Sequence, residues 1–165
     1  YPGSDHQYEM IEEFKEISLE AAEYGLPSVL WSYPRGPEIS KEAETSIDTI
    51  SYAAHIAALL GAHIIKVKPP TSSISESSLK ENYNALINLN SLSERIKHIK
   101  KCAFNSKRIV VFSGGNAKGD EEILTEIKQI KEGGGNGSII GRNSFQRPKK
   151  QALNLLNKII EIYKN

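Results

Sequence analysis

Two lysines stand one residue apart in the run Ala62-His63-Ile64-Ile65-Lys66-Val67-Lys68, and the run reads as a β-strand. Side chains alternate along a strand, so Ile64, Lys66 and Lys68 share one face while His63, Ile65 and Val67 share the other. The second set is apolar apart from His63 and is expected to pack on helices, which turns Lys66 toward the opposite face of the sheet. Withdrawal from water lowers a lysine pKa, and a second ammonium at Lys68 is expected to lower it further. A lysine held neutral near pH 7 is a nucleophile for a carbonyl carbon. An ion pair with a carboxylate elsewhere in the chain is the competing explanation of the same lysine.

Three other clusters fall where α/β folds place their sites, at the C-terminal ends of strands. The first is Trp31-Ser32-Tyr33-Pro34-Arg35-Gly36. Trp31 and Tyr33 share a face with Val29, so a phenol could move a proton near the amine; two core aromatics would give the same spacing. The second and third are Ser113-Gly114-Gly115 and Gly141-Arg142-Asn143. Glycines let backbone N–H groups approach a phosphate, and Arg142 adds charge-assisted hydrogen bonds. A helix opening within Ser144 to Arg147 would add the free N–H groups of its first turn. Ordinary glycine turns are the plainer explanation of each pair alone; two of them at neighbouring strand ends favour a phosphate site.

The elements that must position these residues alternate. Helices are expected over Glu9–Tyr24 (stripe Met10, Phe14, Ile17, Ala21) and Lys41–Leu60 (Ile47, Ile50, Ala54, Ala57 inward). A third opens at the capping-box pattern Ser91-Leu92-Ser93-Glu94, with Leu92, Ile96 and Ile99 inward. Further helices are expected over Asp120–Glu132 and from Pro148 to the end, the last with Leu155, Ile159 and Tyr163 as its stripe. Strands are expected over Pro27–Tyr33, Ala62–Val67, Arg108–Phe112 and Ser138–Ile140, with Thr71–Ser77 a polar loop or flap. Four strands each followed by a helix predict parallel βαβ units. A closed (β/α)8 barrel needs eight strands and about 250 residues. The chain is therefore either a small open sheet or half of a barrel, and a half-barrel would expose an apolar inner face that calls for the other half. The opening Tyr1-Pro2-Gly3-Ser4 reads as a loop entered from an upstream segment.

Composition narrows the classes. Hydrophobic residues make up 39% and charged residues 25%, as in globular domains. A net charge of +1 gives no electrostatic case for nucleic acid or a membrane surface. No apolar run approaches the roughly 20 residues of a membrane span. The single cysteine, Cys102, excludes an internal disulfide framework and is compatible with the cytoplasm. His6, His55, His63 and His98 lack metal-ligand spacing, and no acidic cluster suggests magnesium. Gly133-Gly134-Gly135-Asn136-Gly137 precedes a strand, so it is no dinucleotide fingerprint but a helix stop and turn. Gly114–Gly119 lacks the Gly-Lys-Ser/Thr of a P-loop.

The quoted stretches at the four strand ends, extended to Ile140-Gly141-Arg142-Asn143-Ser144-Phe145-Gln146-Arg147 and joined by Tyr1-Pro2-Gly3-Ser4, run in order over the chain. In this the sequence resembles the class I fructose-bisphosphate aldolases of the archaeal and bacterial type. The resemblance implies a (β/α)8 barrel of which residues 1–165 are strands five to eight, one half of a single domain. It implies Lys66 as the Schiff-base lysine, Tyr33 as the proton-transfer tyrosine and Trp31 beside it. Ser113, Gly114, Gly115, Gly141 and Arg142 would hold one phosphate, and Arg35 the other, with Lys68 in the substrate site. No metal or cofactor is implied. Partners would be a sugar phosphate, the other half of the barrel and further copies of the protein. Between Lys68 and Ser113 the chain is longer than in the archaeal members and closer to the bacterial branch. A different phosphorylated sugar, or a non-catalytic phosphate-binding half-barrel, are the alternatives.

Overall fold

The structure, a computed structural model, describes residues 1–114 and 118–164. Helix α1 spans Gln7–Glu23, strand β1 Val29–Trp31, α2 Ile47–Leu59, β2 Ile64–Val67, α3 Lys80–Leu86, α4 Leu92–Cys102 and β3 Ile109–Ser113. Helix α5 spans Asp120–Glu132, β4 Gly137–Ile139, α6 Arg142–Phe145 and α7 Lys149–Lys164. Single 3-10 turns at Ala43–Thr45 and Ser77–Leu79 complete the described elements.

The four strands form one all-parallel sheet in the order β1-β2-β3-β4. Sequence order and spatial order coincide, so the order never reverses as it does at the switch point of a doubly wound sheet. Alternation along β2 and β3 sends Ile65, Val67, Val110 and Phe112 to one face, where they are fully buried. Against them pack Ile47, Ile50, Ala54 and Ala57 of α2, Ile96 and Ile99 of α4, Ile123, Ile127 and Ile130 of α5, and Leu155 and Ile159 of α7. The expected inward stripes on these four helices are thus core, apart from Leu92 and Tyr163, which pack against it partly buried. At about 1.5–3 kcal/mol for each large side chain, this layer supplies most of the driving force for folding.

The opposite face is open. Trp31 is 45% exposed and Ile109 46%, and Val29 and Ile139 are also exposed there. Helix α1 contributes no buried residue, and Ile17, on its expected stripe, is 56% exposed. Only Phe14 of that stripe, partly buried, packs against the core.

Several boundaries differ from the sequence expectation. The helix expected from Lys41 begins at Ile47, because Ser46 is extended and its hydroxyl caps backwards onto the Ala43 carbonyl at 2.8 Å. The Ala43–Thr45 turn that results carries Glu44 toward the strand ends. The strand expected over Pro27–Tyr33 pairs only at Val29–Trp31. The loop expected over Thr71–Ser77 is irregular as far as Glu76 and enters a 3-10 turn at Ser77, and Asp48 anchors it by accepting from the Ser75 and Glu76 N–H groups at 2.8–3.1 Å; α3, beyond it, was not expected. Ser91 does cap α4, receiving the Glu94 N–H at 3.3 Å. The reciprocal half of the capping box is replaced, as the Ser91 N–H donates to the Asn88 carbonyl.

Candidate active site

Lys66 lies in the centre of the sheet, paired in register with Trp31 on β1 and Val111 on β3. Its carbonyl accepts the Ser32 N–H at 2.9 Å, and the Ser32 hydroxyl donates to the Ala53 carbonyl at 2.7 Å. The end of β1 is thereby fastened both to β2 and to α2. Lys66 is 8% exposed. Its Nζ sits 4.5 Å from the centroid of the Trp31 ring and 5.7 Å from that of Tyr33. Among the described residues, no carboxylate lies within ion-pair distance of it. Burial holds its pKa below the usual lysine value. The aromatic faces are its electrostatic partners, and they attract the ammonium more weakly than a carboxylate would.

Lys68 differs. Its Nζ meets the Glu44 carboxylate at 2.6 Å, and Lys41 reaches the other Glu44 oxygen at 3.1 Å. Hydrogen bonding by Lys68, then by Lys41, outweighs burial and holds the Glu44 carboxyl below its usual range. The expectation that Lys68 would depress Lys66 by repulsion is therefore corrected: Glu44 neutralises that charge, and the shift at Lys66 comes from burial alone. Glu44 is the residue that sequence reasoning missed. On the continuous helix expected from Lys41, nothing in its spacing separates it from a surface carboxylate beside an i,i+3 lysine.

Tyr33 follows β1 and is half-buried. Burial raises its phenol pKa, while a hydrogen bond with the Ser113 hydroxyl and the charge of Arg35 oppose the rise. Arg35 is exposed at the rim, its guanidinium 5.9 Å from the centroid of the Tyr1 ring. The opening loop is held there: the Arg35 N–H donates to the Pro2 carbonyl at 2.9 Å. Gly36 has φ +141°, and a Cβ on it would lie 1.7 Å from the Gly3 oxygen. Only glycine permits that contact.

Gly114 follows β3, and Gly141 and Arg142 follow β4. Asn143, 3% exposed, ties the two turns together. Its Nδ2 donates to the Gly114 carbonyl at 2.9 Å, and its Oδ1 accepts the Lys118 N–H at 2.9 Å. A Cβ on Gly114 would come within 3.2 Å of Ile140 Cδ1, so the turn is already close-packed. Gly115 lies outside the described residues. The short helix expected within Ser144–Arg147 begins two residues earlier, at Arg142.

Tyr33, Arg35, Lys66, Lys68, Ser113, Gly114, Gly141 and Arg142 all line one open groove of about 890 Å³. Trp31 does not line that groove; it lines a separate pocket with Tyr8, Phe14 and Tyr52. Lys41, Glu44, Arg95, Lys118 and Glu126 also line it, and none of these was singled out from sequence. Lys118 is paired with Glu126 at 2.5 Å and Glu122 at 3.6 Å. The described residues hold no cluster of three or more His, Cys, Asp or Glu able to bind a metal ion. Their helices include none long and apolar enough to cross a membrane.

The fold and this rim of strand ends define a class: the chain belongs to the DeoC/LacD aldolase family, whose model matches residues 1–147. Within it, the chain is similar to proteins named for one activity. It is 35% identical over 147 residues to a class 1 fructose-bisphosphate aldolase of Halobacterium salinarum, which covers 89% of this chain and 47% of that protein. It is 32% identical over 163 residues to a fructose-bisphosphate aldolase/6-deoxy-5-ketofructose 1-phosphate synthase of Methanocaldococcus jannaschii, covering 98% of this chain and 46% of that protein. The chain spans about half the length of these curated relatives. Among solved structures it matches an archaeal fructose-1,6-bisphosphate aldolase whose catalytic Lys is bound to the carbinolamine intermediate of the substrate. That match has a TM-score of 0.79 at 30% identity and covers 100% of this chain and 56% of the other.

Proposed function

We propose that this chain is the Schiff-base half of a metal-independent class I aldolase that cleaves fructose 1,6-bisphosphate to dihydroxyacetone phosphate and glyceraldehyde 3-phosphate, and runs the reverse condensation. The observation that carries the reading is the Lys66 amine, sunk among aromatic faces with no carboxylate partner among the described residues, in an open groove of about 890 Å³.

The neutral Lys66 amine adds to the ketose C2 carbonyl, giving a carbinolamine that loses water to an iminium. The C4 hydroxyl then gives up its proton, the C3–C4 bond breaks, and its electron pair flows into the iminium to form an enamine. The aldehyde product carries C4 to C6. Protonation of the enamine at C3 and hydrolysis of the resulting iminium release dihydroxyacetone phosphate and restore the amine. Tyr33, whose phenol burial keeps protonated, is the proton carrier, with Trp31 fixing the amine between the rings. Ser113, Gly114, Gly115, Gly141 and Arg142 take one phosphate, and Arg35 and Lys68 line the same groove.

The open face of the sheet is the interior wall of a (β/α)8 barrel, for which this chain supplies strands five to eight. Four further strands would bury Trp31, Ile109 and Val29 and enclose the amine. The chain alone is accordingly expected to turn over negligibly. The complete enzyme would be a cytoplasmic homo-oligomer of glycolysis or gluconeogenesis. A second reading, a related aldolase on another phosphorylated sugar, is favoured by the double name of the Methanocaldococcus jannaschii relative.

Borohydride reduction tests the reading. Full-length protein incubated with dihydroxyacetone phosphate and borohydride is expected to gain one covalent adduct per chain by intact mass, with activity retained in EDTA. No adduct would overturn the Schiff-base mechanism, and loss of activity in EDTA would point to a metal-dependent aldolase.

A further inference from the structure

The cations around the groove are not equivalent. Lys41 and Lys68 share Glu44, and Lys118 is held by Glu126 and Glu122. Arg95, in the first turns of α4, differs from these three lysines. Its Nε–H donates to the Pro70 carbonyl at 3.0 Å, and an Nη1–H donates to the Leu89 carbonyl. Both acceptors are neutral, so the guanidinium keeps its charge, and among the described residues no carboxylate is within ion-pair distance of it.

A guanidinium has five N–H donors, and two are used here. The others belong to a half-buried group on the groove wall beside Lys68, Pro70 and Thr71. The two carbonyls also fix the plane of the fork before any ligand arrives, which removes the ordering cost that a free arginine would pay. A charged, oriented and partly dehydrated fork without a counter-ion is complementary to a phosphate, which it can hold through two parallel hydrogen bonds.

We propose that Arg95 is the specificity-determining residue of the groove. Anchored on two carbonyls where Arg35 stands exposed, it rather than Arg35 receives the second substrate phosphate, distinct from the one held at the Gly114 and Gly141 turns, and so biases the site toward a bisphosphorylated ketose over a monophosphorylated one. The inference rests on the aldolase reading above. Its competitor is mechanical: Pro70 and Leu89 are the two ends of the excursion after β2, and Arg95 would merely clasp them together.

The two accounts separate in the full-length protein. The readout is kcat/KM on fructose 1,6-bisphosphate divided by kcat/KM on fructose 1-phosphate. Arg95→Ala is expected to lower this ratio at least about 30-fold, chiefly through KM for the bisphosphate. Arg95→Lys restores a point charge but not a fork able to reach both carbonyls, and is expected to recover at least about 5-fold of the ratio. A ratio unchanged in Arg95→Ala, or equally low in both variants, would overturn the proposal in favour of the clasp. Borohydride trapping of wild type with dihydroxyacetone phosphate keeps the two failures apart. If the wild type gives no adduct, the aldolase reading itself fails; an adduct with an unmoved ratio sinks the Arg95 assignment alone.

Discussion

The two faces of the sheet obey the same alternation and reach opposite ends. On the helix side, Ile65, Val67, Val110 and Phe112 vanish into a finished core. On the other side, large apolar residues of the same strands remain in solvent, and Lys66 sits among them. The helix side accounts for the stability of the chain, and the open side holds the groups able to do chemistry. Trp31 and Ile109 stay nearly half exposed beside the buried amine, on the face that the proposed barrel would enclose.

The comparison breaks most sharply at Lys66. Lys66→Ala in the full-length protein is expected to cut kcat at least about 10³-fold in a cleavage assay, with the fold retained by circular dichroism. A core change should do the reverse. Phe112→Ala, on the helix side, is expected to cost about 3–5 kcal/mol in urea denaturation, whereas Ile109→Ser in the chain alone should stay within about 0.5 kcal/mol and reduce self-association. Equal losses from both would mean that the open face is a core in its own right.

Glu44→Gln is a smaller test. Its pair with Lys68 is neither exposed nor sealed, so its loss is expected to cost about 1–3 kcal/mol, between the values for surface and buried pairs. It should also leave Lys68 uncompensated beside Lys66, moving the acid limb of borohydride trapping to lower pH. The smallest effect concerns pH and stability. The folded pKa of Lys66 lies below its ordinary 10.5, so burial of the ammonium penalises the fold. That penalty is complete below the folded pKa, shrinks as pH rises through it, and is gone above 10.5. Lys66→Met should therefore be more stable than wild type at neutral pH, with the advantage fading as pH approaches 10.5 in parallel urea titrations.

Most of the sheet was legible because period and punctuation agree: short β-rich runs bounded by glycine and proline, separated by helices with clean stripes such as Ile123, Ile127 and Ile130. Lys66 was legible because alternation is rigid over so short a strand. Glu44 and Arg95 were not, for a common physical reason. Each acts through backbone that no local pattern announces: Glu44 through a 3-10 turn created by Ser46, and Arg95 through carbonyls of a long excursion. The mutual effect of Lys66 and Lys68 was misjudged for the same reason, because the neutralising carboxylate lies 24 residues away in sequence. Helix α1 shows the converse. Its stripe is periodic, but what would cover it is no neighbour among the described elements.

Lys66 and Lys68 share a face two residues apart, one without a carboxylate and one held by Glu44. Peptide mapping of the borohydride-reduced adduct decides between them. The account predicts the dihydroxyacetone phosphate label on Lys66, with Lys68 unmodified. A label on Lys68, or one spread over both, would contradict it.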